Sequence, residues 1–213
     1  MTTSTLDNAL EAVPVIPVIV LDRATDAVPV AEALIAGGIP VFEVTMRTEA
    51  ALPAIEAIAK RFPDALTGAG TVLSESQATQ SIDAGAQFVV SPGLDDDVVD
   101  TVIAADIPMV PGVITPSEVQ RARRRGLRLL KFFPASLAGG MPMLKAFSAV
   151  YSDVRFVPTG GVSAKNLADY LSVPNVVACG GSWLTPAGPI AEGRFDEITR
   201  LAKEAREIAD DVG

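Results

Sequence analysis

Short runs of β-branched and other apolar residues recur along the chain: VIPVIV (15–20), VFEVTM (41–46), LTGAGTV (66–72), QFVVSPG (87–93), PMVPGV (108–113), LRLLKFFPA (127–135), RFVPTGG (155–161) and NVVACGGSW (175–183). These eight runs have the length and residue types of buried strands. Between them lie segments such as DAVPVAEALIAGG (26–38), EAALPAIEAIAKRF (49–62) and SESQATQSIDAGA (74–86). Their apolar positions fall at helical spacing, and several end on glycine. The pattern predicts strand and helix in alternation, preceded by a short amphipathic helix over residues 6–13 that plugs the N-terminal mouth. Counted from Pro17 through Glu43, Thr71, Pro92, Pro111, Lys131 and Thr159 to Ser182, successive strands lie 19 to 28 residues apart. Each interval holds one strand, one helix and two short loops. Parallel strands with right-handed crossovers follow, and eight such units close into a (β/α)8 TIM barrel. A doubly wound open sheet would carry a glycine fingerprint, whereas Gly68-Ala69-Gly70 is followed by Thr71, Val72 and Leu73.

Composition narrows what such a barrel does. A length of 213 residues fits one domain, taken as 1–213, and no linker or low-complexity stretch divides it. With 49% hydrophobic against 20% charged residues, disorder is not in play. The net charge of −9 repels a phosphate backbone, so nucleic acid is not expected as a partner. The one basic cluster, Arg121, Arg123, Arg124, Arg125 and Arg128, surrounds Gly126 and reads as a solvated helix C-terminus favoured by the helix dipole. A single cysteine, Cys179, excludes an intramolecular disulfide and a multi-thiolate metal site. No apolar run approaches the ~20 residues that span a bilayer, and the first residues lack a basic region and an apolar core. A cytoplasmic protein with no membrane partner is expected. The chain has no histidine, which removes the usual general base, the usual triad partner and the commonest zinc ligand together. Proton chemistry falls to carboxylate, lysine, hydroxyl or water.

In a barrel, reacting groups sit at the C-terminal ends of the strands. On strand 2, Glu43, Thr45 and Arg47 differ by two positions each and so share a face, aligning a carboxylate, a hydroxyl and a guanidinium. The plain alternative is a Glu–Arg ion pair closing a strand end. Thr71 ends strand 3 after two glycines that allow close backbone approach, and Pro92 and Pro111 punctuate strands 4 and 5. Lys131 is flanked by Leu129, Leu130, Phe132 and Phe133. Desolvation there favours the neutral amine, the form that attacks a carbonyl, although a strand-end lysine can also snorkel to solvent. The other four lysines, Lys60, Lys145, Lys165 and Lys203, lie in polar, helical surroundings that fit a solvated surface. Strands 7 and 8 end in Thr159-Gly160-Gly161 and Gly180-Gly181-Ser182, each leading into a helix, where barrels often bind a phosphate. Turn glycines alone would explain either motif.

Taken together, EVTMRTE (43–49), GAGTV (68–72), GAQFVVSPG (85–93), KFFPA (131–135), PTGG (158–161) and GGSWL (180–184) resemble the 2-keto-3-deoxy-6-phosphogluconate (KDPG) and 4-hydroxy-2-oxoglutarate (KHG) aldolase family over nearly the whole chain. The resemblance implies a class I aldolase that forms a Schiff base with its keto acid, needs no metal or cofactor, and acts as a homotrimer on pyruvate-yielding, phosphorylated keto acids. It assigns the imine-forming amine to Lys131, the general acid/base to Glu43 and the grip on the pyruvate carboxylate to Arg47 and Thr71. It places phosphate binding on Gly160, Gly161 and Ser182, pocket lining on Pro92 and Phe133, and stereochemical preference on Thr159, of the gluconate rather than the galactonate type. Ser136 departs from the pattern, which leads one to expect an acidic residue there. Two other readings of the strand ends are a phosphosugar isomerase or decarboxylase, which needs no imine-forming lysine, and a barrel that only binds sugar phosphates.

Overall fold

In the computed structural model, which describes residues 5–212, each predicted run becomes a parallel strand. These are β1 (Val15–Ile19), β2 (Val41–Thr45), β3 (Leu66–Gly70), β4 (Phe88–Val90), β5 (Met109–Val110), β6 (Gly112–Val113), β7 (Leu129–Phe132), β8 (Arg155–Pro158) and β9 (Cys179–Gly181). Residues 1–4 and 213, included in the single domain expected above, lie outside the described residues. The fifth predicted strand is split. Pro111 has no N–H to give to a ladder, so pairing passes from β5–β4 on one side of it to β6–β7 on the other. Its carbonyl still accepts from the Lys131 N–H at 2.9 Å.

The strands pair in the order β5-β4-β3-β2-β1-β9 and, separately, β6-β7-β8. Single bridges, Phe156 with Val176 and Thr159 with Gly180, tie β8 to the segment running into β9. Register decides which side chains meet. Val18, Glu43, Gly68 and Phe88 are successive partners, as are Gly112, Lys131 and Val157. Partners in a parallel ladder point to one face, and both sets face the interior of a curled α/β sheet. The alternate positions pack outward, where Phe132 and Phe156 both meet Phe147 of α7 (Gly140–Val150).

Helices follow the strands: α2 (Ala27–Ala36), α3 (Ala51–Arg61), α4 (Glu75–Asp83), α5 (Asp96–Ala104), α6 (Pro116–Arg124), α8 (Leu167–Leu171), α9 (Ala187–Ala191) and α10 (Phe195–Asp210). Their starts are written locally. Ser74 and Asp95 accept the Gln77 and Val98 N–H groups as N-caps, and Thr115 with Glu118 forms a capping box behind Pro116. The first helix, α1 (Thr5–Ala12), buries Leu6 and Leu10 in the core, and Asp7 and Glu11 pair with Arg155 at the start of β8. That places it at the N-terminal end of the strands, away from the candidate chemistry. No described helix is long and apolar enough to cross a membrane.

The arginine cluster is less simply solvated than expected. Arg121 and Arg125 pair with Asp96, Arg125 also with Asp100, and Arg123 and Arg128 with Asp153, so the cluster clamps α6 to α5 and to the turn before β8. The Arg123 guanidinium holds the Asp153 carboxyl below the usual carboxylate range.

Candidate active site

Lys131 and Glu43 meet inside the curl. Nζ lies 3.2 Å from Oε1 and 3.4 Å from Oε2, with Lys131 5% and Glu43 3% exposed. Two such groups held out of water are costly to a fold, and their retention marks a functional site more readily than a stabilising one. The lysine does not snorkel. Its Nζ also lies 5.4 Å from the centre of the Phe133 ring, which places that residue at the amine. Lys60, Lys145, Lys165 and Lys203 are all exposed, as expected, although Lys165 sits in a turn rather than a helix.

Missing side chains allow two close approaches, at Gly70 for the Glu43 carboxylate and at Gly112 for the Pro92 backbone. A Cβ on Gly70 would stand 1.9 Å from Oε1 of Glu43, and one on Gly112 would stand 2.1 Å from the carbonyl oxygen of Pro92. Each close approach needs glycine. The sequence signalled close approach at Gly68-Ala69-Gly70 without saying that the visitor is the Glu43 carboxylate. Gly70 is thus a site residue whose role appears only in the fold.

The expected line of Glu43, Thr45 and Arg47 along one strand face is corrected. β2 stops at Thr45, whose hydroxyl donates to the Ile19 carbonyl at 2.9 Å, and Arg47 stands in the following turn, exposed. Glu43 pairs with Lys131 and not with Arg47. Arg47 instead reaches the end of β3, where its Nε donates to Thr71 Oγ1 at 3.3 Å. Thr71 holds φ at +57°, a left-handed conformation that a β-branched residue adopts only under constraint. A guanidinium and a hydroxyl are thereby presented together beside the pair, a donor set suited to a carboxylate. Pro92 lies next along the rim, in a cleft shared with Val72, Leu73 and Ser91. Ser91 is tied down by its hydroxyl bond to the Gly93 carbonyl at 2.6 Å.

On the other side of Lys131, Gly160 and Gly161 take φ of +95° and +83°. The Gly160 carbonyl accepts from the Ser136 N–H at 3.0 Å and the Gly161 carbonyl from Asn166 Nδ2 at 3.0 Å. Thr159 is buried, with its hydroxyl in the space a Cβ on Gly180 would fill. Ser182 follows β9 and is exposed. Both glycine loops lead through turns into helices of only five residues. Among the described residues, no group of three or more His, Cys, Asp or Glu side chains is placed to hold a metal. Burial pushes the Cys179 thiol up, far from a reactive thiolate.

An amine and a carboxylate in contact, a carboxylate grip on one side and a glycine loop on the other form an arrangement able to make and break an imine. Known proteins resemble this chain over nearly its whole length. The 2-dehydro-3-deoxy-phosphogluconate aldolase of Treponema pallidum (strain Nichols) is 50% identical over 96% of this chain and 97% of its own. A structure of the KDPG aldolase of Legionella pneumophila, with pyruvate captured at low pH as a covalent carbinolamine intermediate, is 44% identical and superposes with a TM-score of 0.92 over 95% of this chain and 98% of its own. The 2-keto-3-deoxy-6-phosphogluconate aldolase of Zymomonas mobilis ZM4 with 3-phosphoglycerate matches at 42% identity and a TM-score of 0.89, over 97% of both chains. The family model for KDPG and KHG aldolases matches residues 6–201, and the chain belongs to that family.

Proposed function

We propose that this protein is a class I aldolase that cleaves 2-dehydro-3-deoxy-6-phospho-D-gluconate to pyruvate and D-glyceraldehyde 3-phosphate, the aldol step of the Entner–Doudoroff pathway, and that it also accepts 4-hydroxy-2-oxoglutarate. The observation that carries the reading is the contact of 3.2 Å between the buried amine of Lys131 and the carboxylate of Glu43. The carbinolamine captured in the Legionella relative supports the same chemistry.

In this reading the Lys131 amine adds to the C2 carbonyl, and loss of water leaves a cationic imine. Glu43 takes the proton of the C4 hydroxyl as the C3–C4 bond breaks; the bond's electron pair flows into the iminium to give an enamine, and the aldehyde leaves. Protonation at C3 and hydrolysis of the imine release pyruvate. The iminium is the electron sink, so the cycle uses no metal or cofactor. Arg47 and Thr71 hold the pyruvate carboxylate, Phe133 and Pro92 line the pocket, and Thr159 influences the stereochemical preference, of the gluconate rather than the galactonate type. Gly160, Gly161 and Ser182 take the phosphate, whose binding energy holds the reacting bond in place.

The finer architecture belongs to the same proposal: the split fifth strand and the two bridges beside β9 close the curl into an eight-stranded (β/α)8 barrel, one domain over 1–213. We place it in the cytoplasm as a homotrimer, without nucleic-acid or membrane partners. Borohydride reduction in the presence of pyruvate tests the chemistry: a pyruvate-derived adduct is expected on Lys131, and an unmodified peptide sinks the proposal. Pyruvate release from the phosphogluconate substrate, its galactonate epimer and 4-hydroxy-2-oxoglutarate, measured side by side, decides the preferred substrate.

A further inference from the structure

The loop after β8 holds two consecutive peptide units by their carbonyls. The Gly160 carbonyl accepts from the Ser136 N–H and the Gly161 carbonyl from Asn166 Nδ2, each at 3.0 Å. In a planar trans peptide the N–H points opposite to the carbonyl, so these two ties also set the directions of the Gly161 and Val162 N–H groups. Neither N–H has a hydrogen-bond partner among the described residues, although Val162 is only 8% exposed. A buried backbone donor is seldom left unpaired, and consecutive free N–H groups form the kind of concavity that takes an anion. Asn166 fixes the second of them. It occupies the N-cap position of α8 yet makes no side-chain cap bond. Its amide is turned back on the loop instead: Nδ2 donates to the Gly161 carbonyl and Oδ1 accepts from the Ser163 N–H at 2.8 Å. An N-cap asparagine ordinarily supports its own helix. Here the side chain serves the loop read above as the phosphate subsite.

We propose that Asn166 is a positioning residue for that subsite: by holding the Gly161 carbonyl back, it turns the Gly161–Val162 peptide so that the Val162 N–H joins the Gly161 N–H in donating to the phosphate of the substrate. The identity of the phosphorylated substrate rests on the aldolase reading; the two carbonyl ties do not.

The full-length protein and its Asn166→Ala and Asn166→Ser variants decide it. Serine starts a helix as well as asparagine does but is too short to bridge Gly161 and Ser163, so it keeps α8 while releasing the loop, and it carries the test should the alanine variant not fold. Affinity for inorganic phosphate, titrated by calorimetry, is expected to weaken about 10-fold or more in both variants, the loss of one hydrogen bond to a charged group. For the phosphorylated keto acid, kcat/KM should fall by a similar factor. The pyruvate concentration that half-saturates borohydride trapping reads the imine end at Lys131 and should stay at its wild-type value. Wild-type phosphate affinity in Asn166→Ser would overturn the proposal, and so would equal losses in phosphate binding and in trapping, the mark of a merely structural role. A wild type that binds no phosphate yet releases pyruvate also overturns it and leaves the aldolase reading in place. Phosphate binding that depends on Asn166, without pyruvate release from the phosphorylated keto acid, supports the anion-binding loop and removes the aldolase reading.

Discussion

Lys131 Nζ sits 3.2 Å from Glu43 Oε1, although the two residues are 88 positions apart and come from β7 and β2 on facing sides of the curled sheet. Direct contact makes Glu43 the nearest proton carrier to the amine. Glu43→Gln keeps the shape and removes the base, so cleavage is expected to slow by about 10²–10⁴. Borohydride with pyruvate should still modify Lys131. A coupled lactate dehydrogenase assay reads the first effect and peptide mass spectrometry the second; wild-type turnover in the variant would refute the assigned role.

Gly70 makes that contact possible. Because an added methyl would overlap Oε1, Cγ and Cδ of Glu43, Gly70→Ala is expected to turn the carboxylate away from Lys131. Overpacking a buried site of this kind costs roughly 1–3 kcal/mol, readable by urea unfolding. The kinetic outcome should copy Glu43→Gln: trapping retained, with loss of solvent proton exchange at the pyruvate methyl group, followed by NMR. Gly68→Ala, whose methyl would meet the Phe88 ring instead, supplies the packing control. Equal loss of exchange in both variants would remove the special place given to Gly70.

Thr71 carries a strain that its contact with Arg47 explains. A β-branched residue at φ +57° costs about 1–2 kcal/mol, and glycine relieves it at some cost in unfolded-chain entropy. Thr71→Gly is therefore expected to raise stability by roughly 0.5–1 kcal/mol while weakening pyruvate capture. Arg47→Lys should weaken capture as well, since a point charge does not reproduce the planar fork, but with no gain in stability. Thermal melts paired with pyruvate-dependent trapping separate the two; a destabilised Thr71→Gly variant contradicts the strain argument.

Much of this site is legible in the amino-acid sequence, for identifiable reasons. Lys131 is conspicuous because the residues around it are apolar, and strands with period-two alternation show which neighbours share its face. What escaped was set by tertiary geometry. The two-residue steps from Glu43 through Thr45 to Arg47 matter only while the strand continues, and β2 ends at Thr45. Pro111 punctuated strand 5, but only the ladders on either side of it show that pairing changes partners there. The positive φ of Thr71 breaks the residue preference that would have flagged a glycine. A strand glycine such as Gly70 says that something comes close, and only the fold says what.

The capping box of α6 gives a stability test with a defined sign. Glu118 Oε2 accepts from the Ile114 N–H at 2.9 Å and from the Thr115 N–H and Oγ1, both at 2.8 Å. Burial works to raise the Glu118 carboxyl, but the bonds from Ile114 and Thr115 outweigh it and hold the group below its ordinary 4.5. A carboxyl depressed in the folded state stabilises the fold fully above the unfolded value, and that contribution is lost as pH falls through the folded one. Glu118→Gln should thus cost about 1 kcal/mol at neutral pH, the worth of a cap, with the difference shrinking toward zero as the pH falls from 4.5 through the lowered value of the folded state. Denaturant melts of both proteins across that range decide it. A difference that stays constant into acid would mean that the carboxylate charge contributes nothing to holding α6.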